Sequence, residues 1–447
     1  MDTSKLSSTY FGISFTALLF LSGAPVAAQS ETEERSSPWT LSAQPLAQSA
    51  ASGAPQERPA EQTASRGSSK PVDSVQSGIA LEPQAQPSQS PPKSVEWQYG
   101  GFLDAGYLFD FNHPTNKLFR SRGTAWHVDD LHLNMTGAYI KKMASHQSRW
   151  RAELLVQTGE DDEIFGFSAT APNITGSEWL RHLGLANVSY LAPAGKGLTL
   201  QGGIFPSLIG YDSLYAKDNF DYTRPWGADF TPYLMMGVNA SYPFTEKLTG
   251  TFYVVNGYWH LANANSVPSS GVQLAYKASP RITVKETLLA GPHQSDTSLE
   301  FWRFLSDTII ERRSDRVIVA LEYQFSTEQV TSPEPFRAWW MAAQVPIRWN
   351  VGGPWSVAIR PEIAWDSDGR WTLAEQTVKA VTTTLEYRIP YEWANAILRL
   401  EHRFDDSRGP GGGFFDDGEV SPGVVGLKPT QHLLIFGMVF TVDSPSQ

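Results

Sequence analysis

Charged side chains alternate with apolar ones along much of this sequence. Arg399, Glu401 and Arg403 alternate with Leu398 and Leu400. Successive side chains of a β-strand point to opposite faces, so such a strand has one charged and one apolar face. Charged groups on the wall of a water-filled passage attract and sort ions. The pattern, repeated along most of the chain, indicates a barrel with lipid outside and water inside.

Motifs for covalent catalysis are missing from the sequence. It contains no G-x-S-x-G elbow, no H-E-x-x-H and no phosphate-cradling loop, and its nine histidines are scattered. We therefore expect no enzyme activity, no cofactor and no metal site. Acidic runs such as residues 160–163 could bind calcium through oxygen ligands. They lack the glycine-punctuated spacing of a dedicated calcium loop, so solvated loop charge is the default interpretation.

The N-terminus predicts export. Residues 10–21 are an apolar run of signal-peptide length, and small residues up to Ala28 offer a cleavage site. Residues 1–28 are thus predicted to be a signal peptide; a membrane anchor is the less favoured alternative because the run is short. The chain has no cysteine, which excludes disulfides and a lipid anchor on cysteine. The formal net charge of -11 argues against nucleic acid as a partner.

Residues 29–96 form a separate segment, rich in Ser, Ala, Gln and Pro, whose single aromatic residue is Trp39. Such a composition cannot bury enough apolar surface to offset the entropy of ordering, so the segment is predicted to be disordered. It could serve as a periplasmic tether or simply as a spacer, and the spacer is favoured.

Residues 97–447 are predicted to form the barrel. Sixteen candidate strands lie near 99–111, 128–140, 148–158, 179–191, 198–205, 233–242, 247–256, 270–278, 281–290, 299–311, 315–325, 336–347, 354–365, 377–389, 393–404 and 430–442. Short turns alternate with long connections, the pattern of outer-membrane barrels with periplasmic turns and external loops. The fold class is therefore an all-β, transmembrane, antiparallel up-and-down barrel of about sixteen strands. A soluble β-sandwich is the alternative.

Strand alternation assigns charged side chains to the lumen, because a charge facing lipid near the midplane costs about 2–4 kcal/mol. The lumen-facing candidates are Asp104, Arg149, Arg151, Glu153, Arg316, Glu322, Arg360, Glu362, Arg399, Glu401 and Arg403. One strand departs from the pattern, since Glu286 falls on the same face as Ile282 and Val284. A bulge, a rim position or a different register could explain it.

Several segments resemble a known family. GGFLDAGY at 100–107, GIFPSLIGY at 203–211, NFDYTR at 219–224 and VNGY at 255–258 are similar to the outer-membrane β-barrel porins of the porin-2, OmpL-like group. The resemblance covers essentially everything after residue 98. It implies a porin-like fold and passive transport, with poorly defined substrates.

The resemblance also implies where a constriction would lie. In sixteen-stranded porins the long loop after the fifth strand folds into the lumen, and here that loop is 206–232. Its charged candidates are Lys217, Asp218, Asp221, Arg224 and Asp229. The alternative is an external loop that lies over the rim.

The predicted function is passive diffusion of small hydrophilic solutes through a weakly selective charged lumen with an acidic mouth, in the outer membrane of a Gram-negative bacterium. Expected partners are outer-membrane lipids and lipopolysaccharide, the barrel assembly machinery, the solutes and other copies of the barrel. The alternative is a non-conducting barrel, plugged by its loops, that acts as a receptor or as a structural or adhesion protein.

Overall fold

The structure, a computed structural model, describes residues 97–144, 148–163, 177–257, 267–292, 301–330 and 335–444. The predicted signal peptide at 1–28 and the predicted disordered segment at 29–96 lie outside these residues. In the described part of the chain, no helix is long and apolar enough to cross a membrane.

Almost all of the described regular structure is β-strand. The strands are β1 (Trp97–Asp110), β2 (Leu131–Lys142), β3 (Trp150–Thr158), β4 (Leu183–Ala192), β5 (Leu198–Pro206), β6 (Leu234–Pro243), β7 (Leu248–Val255), β8 (Ser269–Ser279), β9 (Ile282–Pro292), β10 (Trp302–Arg313), β11 (Val317–Val330), β12 (Phe336–Gln344), β13 (Ile347–Gly352), β14 (Trp355–Asp366), β15 (Gln376–Pro390), β16 (Ala394–Arg408), β17 (Phe414–Ser421), β18 (Val424–Lys428) and β19 (Thr430–Asp443). A short helix, α1 (Trp226–Asp229), and two 3-10 helices (Ser177–His182 and Ala216–Asp218) complete the described elements.

The wall is a closed antiparallel sheet. Strands consecutive in the sequence pair along most of the wall, β16 pairs with β19, and β1 closes the cylinder by pairing with both β2 and β19. β12 and β13 both pair with β11 and β14, so they are two halves of one wall strand. Counted this way, the described wall has sixteen strands, which confirms the predicted fold class.

The break between β12 and β13 falls at Pro346, where the sequence predicted one continuous strand. Proline has no N–H to donate to a neighbouring strand, so the ladder is interrupted there. The chain stays attached on both sides: Ala320 donates to the Pro346 carbonyl at 3.0 Å, and Val345 donates to the Pro361 carbonyl at 3.0 Å. The predicted strand is present, but its regular pairing is interrupted at the proline.

Turns and long loops lie at opposite rims. The connections after β4, β6, β8, β10, β13 and β15 are short, whereas those after β1, β3, β5 and β16 are long. The loop after β16 contains a hairpin of its own, β17–β18, which pairs separately from the wall. Both strands of this hairpin fall between the predicted strands 393–404 and 430–442, where the sequence predicted only a connection.

The two faces of the wall differ in exposure as alternation predicts. On β16, Leu398 is 41% exposed and Arg399 is 3% exposed, and the pattern repeats at Leu400 and Glu401. Although Tyr323 and Phe436 are exposed near the middle of β11 and β19, many exposed aromatic side chains stand at the ends of strands. They include Trp97, Trp150, Trp349, Trp355 and Trp393 near the short turns, and Phe111, Trp302, Phe336, Trp339 and Trp365 near the long loops. Two such belts are typical of a barrel that crosses a membrane.

Glu286 lies on the outward face near the middle of β9. Its neighbour Lys285 is buried on the inward face, so there is no register error. The carboxylate accepts hydrogen bonds from the hydroxyls of Ser306 at 2.7 Å and Thr308 at 2.5 Å, both on β10. Neither a bulge nor a rim position accounts for Glu286; two hydroxyl partners on the neighbouring strand satisfy it.

Candidate functional site

The loop between β5 and β6, residues 207–233, folds into the barrel; we call it the inner loop. Near its start, the backbone N–H of Gly210 donates to Asp307 Oδ2 at 2.9 Å and that of Tyr211 donates to Glu322 Oε1 at 2.9 Å. Asp307 and Glu322 project inward from β10 and β11, because alternation directs their side chains away from the apolar face. Inward carboxylates of the wall therefore hold the loop by its backbone.

A second anchor is Glu401 on β16. Its carboxylate accepts the backbone N–H of Tyr222 at 2.5 Å and that of Thr223 at 3.0 Å, and also the Thr223 hydroxyl. Glu362 on β14 accepts the backbone N–H of Trp226 at 2.6 Å. Hydrogen bonds to a charged acceptor contribute more than neutral ones, about 1.5–3 kcal/mol each. These carboxylates fix the part of the loop that precedes and begins α1.

Arginines of the wall bind the same loop from the same side. Arg360 lies 3.2 Å from Asp221 and donates to the Thr223 carbonyl at 2.8 Å. Arg399 donates to the carbonyls of Ala216 at 2.7 Å and Asn219 at 2.6 Å. Burial raises the pKa of the Asp221 carboxyl, and the Arg360 guanidinium opposes that rise. Both acidic and basic side chains of the wall therefore bind the inner loop.

The wall charges also pair with one another. Glu386 on β15 contacts Arg348 at 2.7 Å and Arg399 at 2.9 Å. Arg403 contacts Glu362 at 3.0 Å and Asp405 at 2.9 Å. Strands β13 to β16 thus carry a buried network of alternating charge, which satisfies groups that would otherwise be costly to bury.

The opposite side of the inner loop reaches strands β1, β2 and β19. The Tyr222 ring lies over Gly106 and Gly437, which pair with each other across β1 and β19. A Cβ added to Gly106 would lie 2.5 Å from the Tyr222 oxygen, and one added to Gly437 would also collide with the ring. Asn134 of β2 donates to the Tyr222 oxygen at 2.6 Å. The two glycines make the space into which this ring fits; we call it the glycine notch.

The sequence predicted neither of two buried partners of the inner loop, and it placed one of them, Asp161, in a run of solvated loop charge, whereas the structure buries it. Arg122, between β1 and β2, lies 2.8 Å from Asp229 and 4.8 Å above the Trp226 ring. Asp161, after β3, lies 3.8 Å from Arg224. Both belong to other long loops, and the sequence gives no signal for which loops meet inside a barrel.

Lys217 and Asp218 are the candidates on the inner loop that solvent reaches. Their side chains are 23% and 32% exposed and form an ion pair at 2.8 Å. The Lys217 ammonium lies 5.6 Å from the Phe102 ring and 5.7 Å from the Tyr215 ring. In contrast, Asp221 and Arg224 are buried in the network described above. The structure thus brings all five loop candidates inside the barrel, but only the first pair faces water substantially.

The wall candidates divide in the same way. Buried on the inward face are Asp104, Glu322, Arg360, Glu362, Arg399, Glu401 and Arg403. Arg151 and Glu153 of β3 are partly exposed, and Arg149 and Arg316 are exposed next to short turns. The buried group lies where the inner loop packs, and the exposed group lies toward the rim with the short turns. The latter residues, with Lys217 and Asp218, are the candidate charges that a dissolved ion could meet.

Several solved structures are similar to this chain. They include Salmonella typhi OmpF in complex with daunomycin (11% identity; TM-score 0.49; 77% of this chain and 97% of that chain covered), Vibrio cholerae OmpT in its trimer form (10%; 0.48; 78% and 99%) and the anion-selective porin from Comamonas acidovorans (9%; 0.47; 78% and 99%). No curated protein matches the sequence. Residues 96–442 match the family described as "Putative beta-barrel porin-2, OmpL-like". The chain therefore belongs to this family of outer-membrane β-barrel porins.

Proposed function

We propose that the protein is a porin for passive diffusion of small hydrophilic solutes, with Lys217, Asp218, Asp221, Arg224 and Asp229 at or next to the constriction. The observation that carries the proposal is a closed wall, apolar outside and charged inside, around an inner loop with a solvent-exposed ion pair. Fixed charges at the narrowest point of a pore select among ions. In this arrangement Lys217 and Asp218 set selectivity, whereas the three buried residues hold the loop.

The direct test is reconstitution of the full chain in planar bilayers and in liposomes. A porin gives stepwise conductance, and the liposomes swell in sugars or amino acids up to a size limit. A series of solutes graded in size and charge then defines the passage. A folded, pure sample that neither conducts nor passes solute would exclude the proposal.

The role of Lys217 is tested by reversing its charge. Lys217→Glu adds negative charge at the exposed pair, so the permeability ratio of K⁺ over Cl⁻ should rise severalfold in a KCl gradient. Lys247→Glu is the matched control, because Lys247 lies in the exposed turn between β6 and β7. Equal shifts in the two variants would contradict a constriction at the inner loop.

A non-conducting barrel is the second candidate, and one observation favours it. Every residue from Asn219 to Ala228 is buried, so this part of the inner loop is packed rather than lining open water. A barrel filled in this way could act as a receptor or as a structural or adhesion protein. Swelling of liposomes separates the two functions, because only a channel passes solute.

We further propose that copies of the barrel associate through the face around Glu286. A carboxylate near the midplane is unfavourable against hydrocarbon even with two hydroxyl partners, and a protein neighbour relieves this cost. Glu286→Leu should then lower the fraction of oligomer measured by native mass spectrometry in detergent. Leu385→Val, on the outward face of β15 and away from β9 in the wall, is the control; unchanged association in both variants would contradict this interface.

We also propose that the signal peptide is cleaved after Ala28 during export. Cleavage there leaves residues 29–96 as a tether or spacer before the barrel. The assembly machinery and lipopolysaccharide are the remaining proposed partners. N-terminal sequencing of the protein extracted from outer membranes should begin at Gln29. Recovery of the intact N-terminus would argue for an anchor instead.

A further inference from the structure

Three potential metal ligands meet at the rim that carries the long loops. His127 lies in the loop before β2, His132 lies at the start of β2, and Glu160 follows β3. Their donor atoms all lie within 4.8 Å of one another. They come from separate segments of the chain, so no sequence spacing predicts the cluster. Glu160 precedes Asp161, which contacts Arg224 of the inner loop, but none of the three ligands is itself among the anchors described above.

The two imidazoles face the same carboxylate. His127 Nδ1 lies 2.7 Å from one oxygen of Glu160, and His132 Nδ1 lies 3.1 Å from the other. The rings are stacked, with centroids 4.4 Å apart and planes inclined by 13°, so their nitrogen-bearing edges point the same way. The Trp126 ring packs against His127 at 3.7 Å and helps to fix its orientation.

A hydrogen bond does not account for the whole arrangement. His127 Nδ1 is buried and close to the carboxylate, but its direction does not satisfy hydrogen-bond geometry. The other nitrogen–oxygen contact is a normal hydrogen bond. The convergence of two imidazole nitrogens and one carboxylate on one point is the feature expected of a metal site.

The donor set fits a divalent transition-metal ion. Two imidazole nitrogens and one carboxylate oxygen suit zinc and its neighbours, which bind at about 2.0–2.2 Å and place adjacent donors about 3.3 Å apart. To reach that spacing, the nitrogen–oxygen contacts of 2.7 and 3.1 Å must open slightly, and donor atoms up to 4.8 Å apart must close by about 1.5 Å. Glu163 adds a second carboxylate charge that acts on His127. The three side chains are 20–30% exposed, so an ion can enter from outside.

We propose that His127, His132 and Glu160 bind one divalent transition-metal ion, represented by Zn²⁺, at the outer rim of the barrel. Water fills the remaining coordination position, as in zinc sites with three protein ligands. The ion links the loop after β1 to the segment after β3. The selectivity differs from that of an acidic calcium site, because imidazole nitrogens are poor ligands for calcium and magnesium.

The test uses the full chain, folded in detergent micelles and stripped of metal with a chelator. Isothermal titration with ZnCl₂ should give one site per chain that millimolar Ca²⁺ and Mg²⁺ do not block. Co²⁺ in place of Zn²⁺ should give an absorption spectrum typical of nitrogen and oxygen ligands. Folding of each variant is checked by its heat-modified mobility on gels.

His132→Ala and Glu160→Gln should each weaken Zn²⁺ binding by more than about tenfold, since even residues behind the ligands change metal affinity by about 10–100-fold. His402→Gln is the control, because His402 and His432 form another histidine pair, with ring nitrogens 3.3 Å apart. Absence of Zn²⁺ binding in the wild-type chain would overturn the proposal. So would wild-type affinity in either ligand variant, or loss of binding in the control.

Discussion

The barrel interior contains buried charged residues of the wall that bind the inner loop. Arg360, Arg399 and Glu401 were assigned inward from alternation alone, and the structure buries all three. What alternation could not give is their partners, because Glu401 binds residues 178–179 positions away in sequence. Removing one member of a buried ion pair costs about 3–5 kcal/mol, so these residues act as supports for the loop as well as charges.

Glu401→Gln tests this support. Glutamine keeps the size but loses the charge and one acceptor oxygen, so the N–H of Tyr222 or Thr223 loses its bond, at about 1.5–3 kcal/mol. We expect a lower temperature of heat-modified mobility and noisier single-channel currents. Glu375→Gln, at an exposed position between β14 and β15, should change neither. Identical behaviour of the two variants would mean that Glu401 does not hold the loop.

At the scale of elements, the inner loop is wedged between two sides of the wall. Carboxylates and arginines of β10 to β16 bind its backbone, and the glycine notch on β1 and β19 receives Tyr222. A loop held on both sides has one favoured position, which fixes the width of any passage beside it. Loss of the contacts on one side should therefore let the loop move away from that side.

Gly437→Ala tests the side formed by the glycine notch. The added methyl group overlaps the Tyr222 ring, and overpacking of this kind costs about 1–3 kcal/mol. We expect the loop to shift and the single-channel conductance to change, with a lower unfolding midpoint in denaturant. Gly202→Ala is the matched control, since its nearest contact would be an ordinary 3.5 Å to Val238. A change of the same size in the control would point to strand effects instead.

The strands could be predicted because alternation is a local signal, and each predicted segment overlaps a strand of the wall. Pro346 is also a local signal, because a proline interrupts strand pairing, but the predicted strand 336–347 ran through it. The β17–β18 hairpin and the contacts of Arg122 and Asp161 depend on how loops pack, which no strand pattern encodes. Entry of the inner loop into the barrel came from family resemblance rather than from the residues themselves.

At the scale of the whole molecule, the barrel separates two solvents. The outward face is largely apolar, with Glu286 as a charged exception, and aromatic side chains stand at its two edges. The depth of an outward-facing position in the membrane should therefore determine how much free energy of folding a charged residue costs there.

Leu400→Arg tests the dependence on depth. Leu400 lies on the outward face near the middle of β16, where an arginine costs about 2–4 kcal/mol, whereas Trp393→Arg at the rim should cost about 0–1 kcal/mol. The measurement is the free energy of unfolding in lipid vesicles by denaturant titration. Equal costs at the two positions would mean that the outward face does not meet hydrocarbon at the assumed depth.

The seam between β1 and β19 has a consequence for biogenesis. The Tyr99 N–H donates to the Ser444 hydroxyl across 345 residues, and β1 pairs with β19 from Gly100 to Asp110. No partial set of hairpins can satisfy the exposed edges of these two strands, so the wall is complete only when its terminal strands meet. Pairings so distant in sequence form slowly. Until they meet, the apolar face and two unpaired strand edges stay exposed. We therefore expect delivery to the membrane to depend on proteins that prevent aggregation rather than on the chain's own speed of folding.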